Sequence, residues 1–102
     1  MSKARSPSDI RYHYDPDTGL PHIHGHDVDE TEVEAVLRHP IENRPGTGNS
    51  RVIIGRTGAG RLLKVIFVED DQGPGIFVVT AYDVAGKALT AFRRRMRKRG
   101  RR

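Results

Sequence analysis

Apolar residues recur at two different spacings along this chain, and the spacing separates helical from extended segments. After residue 28 the spacing is helical, and the apolar stripe consists of Val33, Val36 and Leu37. Asp29 can cap the first turn with its carboxylate, while Glu32 can reach back as the second half of a capping box. Pro40 cannot continue a helix. The pattern therefore predicts a helix from about Asp29 to His39.

Extended segments dominate the second half of the chain. They are rich in β-branched and aromatic residues and comprise Arg51–Arg56, Leu62–Val68 and Ile76–Tyr82. The short, glycine-containing connectors between them favour an antiparallel meander. Pro45–Gly48 is expected to be a loop. Ile10–Tyr14 could add a short strand, closed by a turn over Asp15–Gly19.

The pairing of these strands decides which side chains face the core. The expected register pairs Arg56 with Arg61 and Val68 with Ile76. It produces one wholly apolar face, which should pack on the helices and which consists of Val52, Ile54, Leu63, Val65, Phe67, Phe77, Val79 and Ala81. Lys64 then lies opposite Thr80 on the second, mixed face. A slip of one residue would exchange the two faces.

A second helical stripe closes the chain, formed by Ala85, Leu89, Phe92 and Met96. Asp83 suits the N-cap position, and Gly86 weakens the first turn. Together these elements predict an α+β fold in two layers. An antiparallel sheet of three to four strands would pack on one or two helices, followed by a basic C-terminal helix.

Positive charge is concentrated at the C-terminal end. Of the 18 Lys and Arg residues, eight lie in residues 93–102, so residues 1–92 carry ten basic residues against all 13 acidic ones. Clustered cations bind phosphates and release condensed counterions without reading sequence. We therefore predict nucleic-acid contact by the tail, although cations near a helix C-terminus can also be purely stabilising. The residues predicted to bind nucleic acid are Arg93, Arg94, Arg95, Arg97, Lys98 and Arg99 in the tail, together with Arg51 on the strand next to that of Lys64.

Length and composition exclude several classes of protein. The 102 residues suffice for one domain, expected over residues 1–102 with a flexible segment 1–9 and a basic tail 93–102. The absence of cysteine excludes disulfides and thiolate metal sites. No apolar run approaches the roughly 20 residues that span a bilayer, and residues 1–10 contain no apolar signal segment. A cytoplasmic protein without a cofactor is expected.

Several sequence blocks together resemble the BrnT-type toxin family and its uncharacterised relatives. They are residues 26–37 (HDVDETEVEAVL), 52–57 (VIIGRT), 60–65 (GRLLKV) and 78–82 (VVTAY). The order of helix, three-stranded meander and basic helix also matches, over roughly residues 20–96. The resemblance implies a RelE-like α+β fold, RNA cleavage without metal, and a cognate antitoxin encoded beside the gene.

Two positions depart from the family pattern. Asp27 stands where the motif usually has glycine, and Tyr82 with Asp83 stands where many BrnT sequences have basic residues. The second departure bears on catalysis, because a basic residue there would face the phosphate. It leaves a non-catalytic RNA- or DNA-binding module of the same fold as an open alternative.

Cleavage by the 2′-hydroxyl of RNA needs a proton acceptor, a proton donor and cations at the phosphate. Lys64 is the best central cation, because it interrupts an otherwise apolar strand, although it could simply be solvated. Arg56 and Arg61 flank the glycine-rich hairpin, where they could hold a phosphate bidentately or also be solvated. Tyr82 could stack on a base, donate its phenol proton, or cap the edge of the core.

Histidines are the usual acid–base groups at neutral pH. His22, His24 and His26 alternate, so an extended backbone would place all three on one side. This spacing also permits metal binding, but no carboxylate occupies a clear fourth position. His24 and His26 are the candidates for acid–base chemistry or phosphate contact, unless His26 only caps or packs the start of the helix. The hairpin glycines Gly55, Gly58 and Gly60 are interpreted as turn residues and not as a nucleotide cradle.

The leading interpretation is a toxin-type endoribonuclease. Lys64, Arg56 and Arg61 would hold the scissile phosphate, and His26 or Tyr82 would move protons. RNA and an antitoxin would be its partners, with neither metal nor membrane involved. A third alternative is a protein-interaction or scaffold domain whose tail only improves solubility.

Overall fold

The computed structural model describes residues 9–100, which form a five-stranded sheet and two α-helices. The elements are β1 (Ile10–Tyr12), a 3₁₀ helix (His22–His26), α1 (Glu30–Arg38), β2 (Pro40–Pro45), β3 (Arg51–Arg56), β4 (Leu62–Glu69), β5 (Ile76–Asp83) and α2 (Gly86–Gly100). The strand order is β1-β5-β4-β3-β2. The β1–β5 pair is parallel and the other pairs are antiparallel, so the α+β class is confirmed with a mixed sheet. Most of the predicted flexible segment 1–9, and residues 101 and 102, lie outside the described range.

Helix α1 follows the sequence prediction. The Asp29 carboxylate accepts a hydrogen bond from the Glu32 amide at 2.9 Å, and the Glu32 carboxylate accepts one from the Asp29 amide at 3.1 Å. These two bonds complete the capping box. Val33 and Val36 are fully buried, so the apolar stripe anchors the helix to the sheet.

Strand β2 was not predicted, and the expected count of three to four strands is too low. It carries a proline at each end, and Pro45 was assigned to a loop. Proline cannot donate to a neighbouring strand, so within sheets it is tolerated at an edge. β2 is such an edge, because it pairs with β3 alone. Its burial alternates weakly, with Glu42 buried between exposed neighbours.

The first hairpin differs by one residue from the expected register. Arg56 lies opposite Leu62 and not opposite Arg61. The loop closes one step further out, where the Thr57 amide donates to the Arg61 carbonyl at 2.8 Å and the Arg61 amide donates to the Thr57 hydroxyl at 3.1 Å. The slip exchanges the faces of β3 relative to β4. Ile53 now shares a face with Leu63 and Val65, whereas Val52 and Ile54 share the opposite face with Leu62.

The second hairpin also shifts, because β5 contains a β-bulge. Val79 is the extra residue, and its side chain is exposed and not in the core as expected. Beyond the bulge, Lys64 lies opposite Tyr82 and not opposite Thr80. Before it, Val68 pairs with Phe77 and not with Ile76. The residue that faces Lys64 across the strands is therefore an aromatic ring.

Helices cover both faces of the sheet, so the expected two-layer arrangement is wrong. On the α1 face the core consists of Ile10, Ile23, Val28, Val33, Val36, Ile53, Leu63, Val65, Ile76, Val78 and Ala81. On the α2 face a smaller cluster consists of Ile54, Leu62, Val84 and Phe92, with Leu89 and Met96 against it. Ile53 and Ile54 belong to different clusters because successive strand residues point to opposite faces. Helix α2 covers only part of its face. On the remainder of that face, Ile66, Val68 and Thr80 are only partly buried.

Helix α2 begins later than expected. Asp83 still belongs to β5 and its carboxylate pairs with Arg61, so it does not act as the N-cap. Val84, and not Ala85, fills the apolar position ahead of the helix. Gly86 starts the helix with a φ of 57°, a conformation that glycine adopts without a Cβ penalty. Neither α-helix within residues 9–100 has the length and apolarity needed to cross a membrane.

Gly55 lies inside β3, so its interpretation as a turn residue is wrong. A Cβ at this position would lie 3.0 Å from the His39 carbonyl oxygen and 3.2 Å from Cγ1 of Val36. Glycine is therefore required where β3 passes beneath the end of α1. Gly58, in the hairpin loop, has nothing within 4 Å of the same ideal Cβ position.

Gly55→Ala is expected to lower the free energy of unfolding by about 1–3 kcal/mol, because the added methyl group overpacks a rigid contact. Chemical denaturation measures this loss. The matched variant Gly58→Ala should stay within about 0.5 kcal/mol of the wild-type protein. Equal stability of the two variants would contradict the packing of α1 on β3.

Candidate nucleic-acid interface

A line of facing residues crosses the sheet on the α2 face. Glu42, Ile54, Lys64 and Tyr82 lie opposite one another on β2, β3, β4 and β5. Helix α2 packs on Ile54, whereas Lys64 and Tyr82 remain partly exposed. The Lys64 ammonium lies 5.8 Å from the centre of the Tyr82 ring, within the range of a cation–π contact.

A row of five aromatic or imidazole rings begins at Tyr82 and runs along β5, and we call it the ring row. They are Tyr82, His26, His22, His13 and Phe77. Consecutive ring centres lie 5.8, 5.0, 5.5 and 6.3 Å apart in that order. These spacings are typical of tilted and edge-to-face aromatic pairs. Two cations flank the row, with Lys64 at Tyr82 and the Arg11 guanidinium 5.3 Å from the Phe77 ring centre.

Local backbone structure assembles the ring row. The His22 amide donates to the His13 carbonyl at 2.7 Å, which brings two distant rings side by side. The His13 amide donates to the Val78 carbonyl at 3.0 Å and ties this corner to β5. The 3₁₀ helix then places His26 next to His22 and closes at Asp27, which has a left-handed φ of 61°. Asp27 therefore adopts a backbone conformation that is otherwise typical of glycine.

The three alternating histidines do not share one side, because their segment is helical and not extended. His24 leaves the row and its Nε2 lies 2.8 Å from a Glu30 carboxylate oxygen. His26 joins the row as an exposed ring. Within residues 9–100, no group of three or more His, Asp or Glu side chains is arranged to hold a metal ion.

Three arginines surround the Glu42 carboxylate at the other end of the line, and Lys64 lies within range of their positive charges. We call these four basic side chains the cation cluster. They are Arg44, Lys64, Arg95 and Arg99. The Glu42 side chain is fully buried. It accepts hydrogen bonds from Arg95 at 2.6 and 2.8 Å and from Arg44 at 3.4 Å, with Arg99 3.6 Å away. Two of the predicted tail contacts, Arg95 and Arg99, are thus directed at the sheet.

The charges of the cluster act on one another. The hydrogen bond from Arg95 lowers the pKa of Glu42, despite the opposing effect of burial. Burial lowers the pKa of Lys64, and the positive charges of Arg44 and Arg95 lower it further. Among the described residues, no carboxylate forms an ion pair with Lys64. Lys64 is therefore a half-buried cation in a locally positive environment.

Arg61 does not converge with Lys64. Its guanidinium donates to Asp83 at 2.7 and 3.1 Å, to Glu32 at 3.1 and 3.2 Å, and to the Asp27 carbonyl at 2.6 Å. Hydrogen bonding to Asp83 raises the pKa of Arg61 well above its usual range. Asp83 and α1 belong to the α1 face, so the sheet separates Arg61 from Lys64. Its contacts make Arg61 a clamp between α1, β4 and β5.

The other predicted cations occupy separate positions. Arg56 is exposed at the hairpin and donates to the Gly60 carbonyl at 3.0 Å, whereas Arg51 donates to Asn43 at 2.6 Å. Arg51 faces the α1 side, opposite Phe67. On α2 the exposed basic residues are Arg93, Arg94, Arg97 and Lys98. The structure thus brings together Lys64, Tyr82 and His26, but neither Arg56, Arg61 nor Arg51 joins them.

Four members of the site were not predicted from the sequence. Glu42 and Arg44 were overlooked because β2 was not recognised, although their spacing of two places them on one strand face. His13 and Phe77 were overlooked because their neighbours are remote in sequence. A depression of about 550 Å³ on the α1 side was also missed, where Asp29, Glu32 and Arg61 already serve the helix cap and the clamp.

A family model described as a domain of unknown function (DUF4258) matches residues 22–83, and the chain belongs to that family. The match runs from the 3₁₀ helix to the end of β5 and contains Glu42, Lys64 and four of the five rings. Helix α2 and His13 lie outside it. No curated protein and no solved structure matches the chain.

The Glu42–Arg95 contact yields a pH prediction. Because the pKa of Glu42 is lowered in the fold, its ionised form stabilises the protein above the usual carboxyl value of 4.5, and this contribution is lost as pH falls through the lowered pKa. Glu42→Gln should therefore be less stable than the wild-type protein at pH 7, by about 1–3 kcal/mol.

The stability difference should shrink as the pH is lowered below 4.5. Urea denaturation of both proteins between pH 7 and pH 3 measures it. Glu69→Gln serves as the matched control, since Glu69 is exposed at the end of β4, and its stability should follow that of the wild-type protein. A difference between wild type and Glu42→Gln that stays constant with pH would contradict the assigned ion pair.

Proposed function

We propose that this DUF4258 protein binds single-stranded RNA along the ring row and cleaves it without a metal ion, as an endoribonuclease of the toxin–antitoxin type. The observation that carries the proposal is the contact of His26, Tyr82 and Lys64 at one end of the row. This set combines an imidazole, a phenol and an ammonium group on one partly exposed surface.

Binding along the row follows from the chemistry of RNA. Unpaired bases of any type stack on aromatic and imidazole rings. Arg11 and Lys64 lie at opposite ends of the row, where their positive charges can pair with the phosphates of the backbone. Arg93, Arg94, Arg97 and Lys98 on α2 would add contacts that do not depend on sequence.

Cleavage would use the three grouped side chains. The 2′-oxygen attacks the phosphorus while His26 accepts its proton, and the bond to the 5′-oxygen breaks. Tyr82 donates a proton to the departing 5′-oxygen. Lys64 stabilises the negative charge that develops on the phosphorane. The products are a 2′,3′-cyclic phosphate and a 5′-hydroxyl, and proton exchange with water restores both side chains.

The resemblance to BrnT-type toxins and the RelE-like ribonucleases supports this proposal from the sequence side. It also suggests a cognate antitoxin, encoded beside the gene, that covers the basic surface with acidic or helical segments. Both partners would place the protein in the cytoplasm.

A non-catalytic RNA- or DNA-binding module is the second candidate. It is favoured by the position of Arg61, which is committed to Asp83 and Glu32 on the α1 face. Lys64 would then be left without the two arginines that were expected beside it at the phosphate. In this case the ring row would bind nucleic acid without cutting it.

Incubation of the purified protein with a single-stranded RNA in EDTA tests the two candidates. We expect fragments that end in a 2′,3′-cyclic phosphate. His26→Gln should slow cleavage by about 10²-fold or more, because it removes the proton acceptor. Lys64→Gln should slow it by about 10²–10³-fold through lost charge stabilisation.

Arg38→Gln is the matched control, since Arg38 is exposed on α1 and far from the row, and it should cleave at the wild-type rate. RNA that is bound but left intact would identify the non-catalytic module. RNA that is neither bound nor cut would overturn both candidates.

A further inference from the structure

We infer that the cation cluster is a binding site for a terminal phosphate, the phosphomonoester at one end of a nucleic-acid strand lying on the ring row. This inference rests on the proposed function and specifies the chemical group at the end of the bound strand. Neither Arg44 nor Glu42 has a part in the cleavage chemistry described above.

The charge balance of the cluster is the first observation. Arg44, Lys64, Arg95 and Arg99 carry four positive charges, and Glu42 is the one carboxylate that pairs with these arginines among residues 9–100. The formal local charge is therefore +3. A phosphomonoester carries a charge of about −2 at neutral pH, whereas a backbone diester carries a single negative charge. The monoester is the better counter-charge for this cluster.

The hydrogen-bonding geometry is the second observation. Glu42 engages the Nε and one terminal nitrogen of Arg95, and only Nε of Arg44. The other guanidinium donors of both arginines remain for a ligand. The side chains of Arg44, Arg95 and Arg99 are 40%, 35% and 55% exposed, whereas Glu42 is not exposed at all. Glu42 thus acts from below as a positioning residue that holds three partly exposed guanidinium groups close together.

The location of the cluster is the third observation. Lys64 belongs to both the cation cluster and the end of the ring row, so the two surfaces share this ammonium group. Beyond Lys64 the same line continues to Ile54, which is buried beneath α2 with Phe92. The open surface along this line therefore ends at Lys64, within range of the arginine charges, which favours a strand end over a strand that passes through.

Binding of uncleavable 2′-O-methyl trinucleotides tests the inference. Three versions are compared by calorimetry: one with a 5′-phosphate, one with a 3′-phosphate and one with hydroxyl groups at both ends. We expect one of the phosphorylated trinucleotides to bind about tenfold or more tightly than the hydroxyl-ended one, because charged hydrogen bonds are gained. The preferred end also establishes the direction of the strand.

Arg44→Gln should abolish this preference and leave the affinity for the hydroxyl-ended trinucleotide unchanged. Arg44 is suited to the test because its bond to Glu42 is long, at 3.4 Å, and Arg95 still neutralises the buried carboxylate. Arg38→Gln, on α1, should keep the preference. Equal affinities for all three ligands, or a preference that survives Arg44→Gln, would overturn the inference while the proposed RNA binding stands.

If none of the trinucleotides binds, the proposed function fails. A titration with inorganic phosphate then tests the cation cluster independently. In NMR titrations at constant ionic strength, phosphate should then shift the backbone amides of Arg44 and Lys64 in the wild-type protein but not in Arg44→Gln. The absence of such shifts in the wild-type protein would overturn the inference.

Discussion

The buried ion pair between Glu42 and Arg95 is the constraint on which the α2 face depends. A carboxylate without solvent contact must be paired, because an isolated buried charge costs several kcal/mol. Its partner arrives from α2, 53 residues later in the chain. The pair fixes α2 over Ile54 and Leu62 at one end of the sheet and leaves the rest of that face open. The position of the candidate interface follows from this one contact.

Residues of the same type acquire different roles according to the face on which they lie. Arg61 lies on the α1 face and clamps Glu32 to Asp83, so its donors serve stability. Lys64, three residues later, points to the α2 face and has an aromatic ring as its neighbour. Of these two basic residues near the hairpin, Arg61 therefore stabilises the fold on one face of the sheet, and Lys64 belongs to the candidate interface on the other face. Their closeness in sequence concealed this division.

Local signals in the sequence predicted local structure well. The capping box at Asp29, the three central strands and the basic terminal helix are encoded by residues close together in the chain, and all were found. Strand β2 was missed because its prolines suit only an edge, which sequence alone does not identify. The registers were wrong by one residue because the first hairpin loop closes at Thr57 and β5 contains a bulge at Val79, and the alternation of apolar residues reveals neither feature. The ring row was missed because its members come from three separate segments, namely the residue after β1, the 3₁₀ helix and β5.

The central claim is that the ring row and Lys64 form the surface that binds RNA. An NMR titration of the full chain with an uncleavable single-stranded RNA tests it most directly. The account predicts that the largest shifts fall on the side chains of His13, His22, His26 and Tyr82, with smaller shifts on α2 and none on α1. Shifts confined to the tail, or centred on α1, would contradict it.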